Sequence, residues 1–188
     1  MKVARCLLFA LLAPVSLAAR AEEAFRVDYF DVGGSSAKEL RVELSRIGPV
    51  ADTGVRGDAY TRWHISWKFD LTERGKACIA GNFAVDLTVT MLLPRWTPPA
   101  GVTADLIALW DRYSTALRYH EDGHHQIARA AADEVMRRLR ASARGEGCKP
   151  LENKLKTLVD EVLVEYRVKQ SDYDRETDSG RAQGTSIL

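Results

Sequence analysis

His120, Glu121 and His124 form the pattern His-Glu-x-x-His, whose residue types and spacing suit metal-dependent hydrolysis. Residues of an α-helix turn by about 100° each, so the two histidines lie about 40° apart on one face, one turn from each other. Two neutral imidazoles in that arrangement can bind one Zn²⁺. Glu121 lies about 100° from His120, where it flanks the metal without coordinating it. The pattern predicts a zinc site in which Glu121 is the general base that activates a Zn-bound water.

The third protein ligand of this zinc site is open at the level of sequence. A catalytic zinc needs three protein ligands and one open position. The carboxylates available are Glu161 or Glu165 on the last predicted helix, and Asp174, Glu176 or Asp178 in the polar tail. Two further histidines are expected elsewhere: His125 on the helix surface, and His64 on the polar face of a strand.

The elements that must position these residues alternate between strand and helix patterns. Two runs of alternating apolar residues, 62–71 and 83–93, predict an antiparallel hairpin. The histidines fall in the apolar stripe of a long helix that begins after Thr103 and ends near Ser142. Gly123 costs about 1 kcal/mol relative to alanine within a helix, and it leaves room for another segment to pack close to the site. A second helix follows Pro150, so we expect an α+β fold with a small antiparallel sheet covered by helices.

The chain divides into a leader, one domain and a tail. Residues 1–21 combine a basic start, an apolar stretch and the small-x-small sequence Ala19-Arg20-Ala21, which is typical of a signal peptide. We expect residues 22–169 to form a single domain and residues 170–188 to form a polar tail that is able to fold back on the site. We therefore expect a protein exported to the periplasm or the extracellular space, with no transmembrane segment once the signal is removed.

The net charge excludes one class of partner, and the cysteine content agrees with export. The chain has 27 basic and 26 acidic residues, and a net charge of +1 excludes a strongly basic nucleic-acid binder. After loss of the signal peptide two cysteines remain, Cys78 and Cys148, and an even count in an exported chain predicts a disulfide.

Several short pieces occur in an order that resembles the bacterial DUF922 family of predicted secreted zinc-dependent proteases. They are Tyr29–Leu44, the strand Thr61–Trp67, Cys78 before a strand that ends Leu93-Pro94-Arg95-Trp96, His120-Glu121-x-Gly123-His124, Cys148, and Tyr173-Asp174-x-x-Thr177. The family tends to place a histidine before the glycine of the tail motif, where this chain has Ser179. If that histidine is the family's third zinc ligand, this chain lacks it, and the neighbouring Asp178 would take its place. Glu165 on the last helix is the alternative third ligand.

The sequence favours an exported zinc metallopeptidase that acts on a peptide or protein substrate. The alternative is a non-catalytic envelope binding protein, a degenerate peptidase with a weak or structural metal site.

Overall fold

A computed structural model of the chain describes residues 22–51 and 54–188, so the predicted signal peptide lies outside the described residues. This part of the chain forms a sheet of four strands with three helices, of which the two longest pack on the sheet, and this confirms the α+β class. In chain order they are β1 (Glu22–Val32), α1 (Ala37–Ile47), β2 (Tyr60–Arg74), β3 (Ala77–Trp96), α2 (Ala104–Ala141), β4 (Arg144–Glu146), α3 (Cys148–Glu176) and a short 3-10 turn (Arg181–Gln183).

The two alternating runs form the antiparallel hairpin that their pattern predicts. β2 and β3 pair along most of their length, with Ile65 opposite Leu87 and Trp63 opposite Val89. Their apolar side chains lie on one face of the sheet and pack against the helices. The alternation therefore identified both the strands and the face that they bury.

The sheet as a whole is mixed rather than purely antiparallel. β1 pairs in parallel with β3, with Phe25 opposite Val89, and the strand order is β1-β3-β2 with β4 paired to β3. After β1 the chain passes through α1 and enters the sheet again as β2, and β3 then lies between β1 and β2. A pairing between strands so far apart leaves no local signature in the sequence.

α2 and α3 lie side by side and both contact the sheet. The Thr103 side chain caps α2 by accepting a hydrogen bond from the Leu106 amide at 3.3 Å, as its sequence predicts. The predicted disulfide is present and joins Cys78 on β3 to Cys148, the first residue of α3. None of the helices within the described residues is both long enough and apolar enough to cross a membrane.

α3 is longer than the sequence analysis expected. The last apolar residue of its stripe is Tyr166, yet the helix continues through the polar stretch to Glu176. Residues assigned to the tail are therefore partly helical, and only the segment after Thr177 leaves the helix. In that segment Ile187 is buried against α1 and the first half of α2.

Candidate metal centre

His120 and His124 occupy the middle of α2 and face the last turns of α3. His120 is almost fully buried, and the side chain of His124 is 12% exposed. Their Nε2 atoms are 3.3 Å apart. The helix therefore presents two imidazole nitrogens to one point, as the spacing predicts.

Asp174 on α3 supplies a third donor at the same point. Its Oδ1 lies 3.3 Å from His120 Nε2 and 3.0 Å from His124 Nε2. Among the described residues these three form the group of histidine and carboxylate donors that is able to hold a metal ion. Asp174 is about half exposed, so the centre lies under the surface with one open side.

The donor set fits Zn²⁺ in chemistry and in spacing. Catalytic zinc is commonly bound by two histidines and one carboxylate, with bond lengths of about 2.0–2.2 Å. Tetrahedral ligands at that length are about 3.3 Å from each other. The three separations between the donor atoms, 3.0 to 3.3 Å, match this value.

The charges of the group are mutually dependent. Burial acts to lower the pKa of His124, but the hydrogen bond to Asp174 and the nearby Glu121 charge raise it overall. Burial acts to raise the pKa of Asp174, but hydrogen bonds to both histidines hold it well below its usual range. The three donors therefore attract positive charge, either a proton or a metal cation.

Glu121 contacts the sheet through β2. Its Oε2 accepts a hydrogen bond of 2.6 Å from the Thr61 hydroxyl on β2, and the carboxyl group is buried. Burial raises the pKa of Glu121, and the Thr61 hydrogen bond and the two histidines only partly offset it. A raised pKa suits a carboxylate that takes up a proton and later releases it.

Tyr173 fills the space beside Gly123 that the sequence analysis expected another segment to occupy. A Cβ atom on residue 123 would lie 2.7 Å from Tyr173 Cε1 and closer still to its hydroxyl. The Tyr173 ring stacks on His120 with the ring centroids 5.1 Å apart and meets His124 edge-on. Gly123 thus permits α3 to approach the histidines.

Two glutamines contact the opposite nitrogens of the histidine rings. The side-chain carbonyl of Gln170 is hydrogen-bonded to His124 Nδ1, and its amide nitrogen donates to the backbone carbonyl of His124 at 3.0 Å. Gln183 Oε1 lies 3.0 Å from His120 Nδ1. Gln170 belongs to α3, whereas Gln183 belongs to the C-terminal segment.

Neither carboxylate that the sequence analysis retained as third ligand belongs to this group. Glu165 lies farther back on α3, paired with Arg138 at 2.6 Å and Lys169 at 2.8 Å. Asp178 is exposed and paired with Arg181. Asp174 is the third donor instead, because α3 extends far enough to bring it to the two histidines. The three donors are complete without residue 179, so Ser179 does not by itself remove the site.

Of the other two histidines, His64 lies where the sequence predicts and His125 does not. His64 is exposed on β2, as predicted. His125 is buried, contrary to the expectation of a surface position, since β1 covers this side of α2. Its ring stacks on Phe25 at 4.4 Å and is hydrogen-bonded to Glu23.

Sequence reasoning missed four side chains that surround the centre, namely Thr61, Gln170, Tyr173 as a packing residue, and Gln183. One signal was available. Gln170 and Asp174 are four residues apart and so share a helix face if the last helix continues past Tyr166. No such spacing links Thr61 or Gln183 to the histidines.

The fold and this centre define an α+β protein with a histidine and carboxylate group between two long helices. The family model described as a bacterial protein of unknown function, DUF922, matches residues 27–181. The chain belongs to this family, as the sequence resemblance predicts. No curated protein and no solved structure matches the chain.

Proposed function

We propose that this protein is an exported zinc-dependent peptidase, with His120, His124 and Asp174 as the zinc ligands and Glu121 as the general base. The observation that carries the proposal is the convergence of three donor atoms at tetrahedral spacing on one side of α2. The buried Glu121 follows directly after one of the ligands.

Zn²⁺ held by these residues would supply Lewis-acid chemistry, polarising a carbonyl and acidifying a coordinated water. The chain itself supplies the proton transfer. The Thr61 hydroxyl binds Oε2 of Glu121, which leaves Oε1 to accept a proton and later return it to a leaving amine. The half-exposed Asp174 marks the side from which a substrate reaches the centre.

Zinc stoichiometry is the first test of this proposal. The purified protein, with its disulfide oxidised, should hold one zinc per chain after dialysis against trace zinc. His120→Ala should hold almost none, while His64→Ala should match the wild type because His64 lies exposed on β2. Equal metal content in all three proteins would contradict the site.

Glu121→Gln separates the peptidase from a non-catalytic metal-binding protein. The amide keeps the size of the side chain and its bond to Thr61 but has no basic oxygen. We expect this variant to retain zinc and to lose at least a hundredfold in cleavage of fluorescently labelled denatured casein. A zinc-loaded wild type with no more cleavage than Glu121→Gln would favour the binding protein.

A further inference from the structure

The hydrogen bonds of Gln170 fix the proton on the ring of His124. The backbone carbonyl of His124 accepts only, so the Gln170 group that faces it must be the NH₂ group, at 3.0 Å. Its carbonyl oxygen must then face His124 Nδ1. An oxygen acceptor at Nδ1 requires a proton there, so Nε2, which faces Asp174, is the ring nitrogen left to bind a metal.

Gln183 makes the corresponding contact with His120. Its Oε1 is 3.0 Å from His120 Nδ1, and its amide nitrogen donates to the Tyr173 hydroxyl at 3.0 Å. The Tyr173 ring stacks on His120, so the same glutamine holds both the ring and its neighbour. Both histidines therefore direct their Nε2 atoms, the nitrogens able to bind a metal, at one point, and a separate glutamine contacts the Nδ1 atom of each ring.

The segment that carries Gln183, residues 177–188, is docked by contacts of its own. Ile187 is 1% exposed and packs in the cluster formed with α1 and the first half of α2. Thr185 is also buried. Gly180 has a φ of +83°, and a Cβ there would lie 3.0 Å from the His120 ring. The segment is thus fitted closely against one of the two histidines.

We propose that Gln183 is a positioning residue for the metal centre, and that docking of residues 177–188 and metal binding stabilise each other. This inference rests on the metal centre of the proposed function but not on peptidase activity. Gln183 reaches His120 only when the segment is docked, and a metal on Nε2 strengthens the bond that Nδ1–H donates to Gln183. Coupling of this kind acts equally in both directions.

Zinc affinity tests the positioning role. Dissociation constants from competition with a chromophoric chelator are compared for the wild type, Gln183→Ala, Gln183→Glu and Gln126→Ala. Gln126 is an exposed glutamine on α2 and serves as the matched control. Loss of a hydrogen-bond partner of a ligating histidine typically weakens metal binding about 10- to 100-fold. We expect that loss in Gln183→Ala, recovery in Gln183→Glu, whose carboxylate accepts the same bond, and no change in Gln126→Ala.

Each outcome is decisive. Unchanged affinity in Gln183→Ala would overturn the inference while leaving the zinc centre intact. Equal weakening in Gln183→Ala and Gln183→Glu would show that packing matters and the acceptor does not, which also overturns it. A wild type that binds no zinc would overturn both the metal centre and this inference.

Hydrogen exchange tests the coupling. Zinc should slow amide exchange across residues 180–185 in the wild type at least tenfold, and much less in Gln183→Ala. Exchange in this segment that does not respond to zinc, in a wild type that binds it, would overturn the coupling.

Discussion

Gly123 is the residue on which the approach of the two long helices depends. Alanine is favoured over glycine within a helix by about 1 kcal/mol. Here the added Cβ would overlap Tyr173, whose ring is held in place by His120 and Gln183. Overpacking of this kind costs about 1–3 kcal/mol, so steric overlap should outweigh helix propensity.

We therefore predict that Gly123→Ala lowers the free energy of unfolding of the metal-free protein. The sign should reverse in a Tyr173→Ala background, where the space is empty and only the helix propensity of about 1 kcal/mol remains. Urea unfolding of the four proteins gives both values. A Gly123→Ala penalty that persists without the tyrosine ring would assign the cost to something other than this contact.

Tyr113 makes the stability sensitive to alkaline pH. Burial raises the pKa of Tyr113, and the charge and hydrogen bond of Asp58 raise it further. The folded protein therefore keeps a proton that the unfolded chain loses above about pH 10. The stabilisation from the protonated Tyr113 is therefore complete below about pH 10. It is lost as the pH rises from the pKa of the unfolded chain toward that of the folded protein, by up to about 1.4 kcal/mol per pH unit.

Urea unfolding at pH 8 and at pH 11 checks this prediction. Tyr113→Phe should lose less stability between the two pH values than the wild type, because it has no phenol to ionise. The exposed Tyr119→Phe variant is the control and should follow the wild type. Identical pH dependence in Tyr113→Phe and wild type would refute the role of this group.

At the scale of elements, the disulfide joins the long strand of the sheet to the helix that carries Asp174. Cys78 and Cys148 are 70 residues apart in sequence. In the chain-entropy model, a cross-link that closes a loop of this length stabilises the fold by roughly 4 kcal/mol. We expect Cys78→Ala with Cys148→Ala to lower the free energy of unfolding by about that amount. The reduced wild type should show the same urea midpoint as the double variant. If the double variant had the midpoint of the oxidised wild type, the prediction would be contradicted.

The elements that the sequence predicts are those with periodic apolar residues. Alternation in β2 and β3 and the stripe of α2 identify what each element buries. The end of α3 has no such stripe, since Gln170 and Asp174 face histidines instead of a hydrophobic core. Hydrophobic periodicity therefore ended the helix too early, so Asp174 was one tail candidate among several and Asp178 or Glu165 was preferred to it.

The position of His125 shows a second limit of reasoning from one helix. Its angle from His120 places it outside the group formed by His120, His124 and Asp174, which is correct, and an isolated amphipathic helix would expose that side. In this fold β1 covers it, with Phe25 and Glu23 against the ring. The parallel pairing of β1 with β3 decides this burial, and that pairing depends on the whole sheet.

At the scale of the whole molecule, the candidate metal centre lies between two hydrophobic clusters that share α2. One cluster joins the sheet to α3 and to the second half of α2, from Ala128 onward. The other joins α1, the end of β3, Ile187 and the first half of α2, up to Leu117. The histidines occupy the stretch between them, where polar contacts to α3 and the C-terminal segment replace apolar packing.

A metal bound at this junction should stabilise the entire fold. A ligand that binds only the folded state adds about 2.7 kcal/mol to the free energy of unfolding when its free concentration is a hundred times its dissociation constant. We expect zinc to raise the melting temperature of the wild type and of His64→Ala equally, because His64 is exposed on β2. His124→Ala should lose the zinc-dependent increase. His124 is one of the proposed ligands and joins α2 to Asp174 on α3. An increase in melting temperature that survives in His124→Ala would therefore place the bound zinc elsewhere.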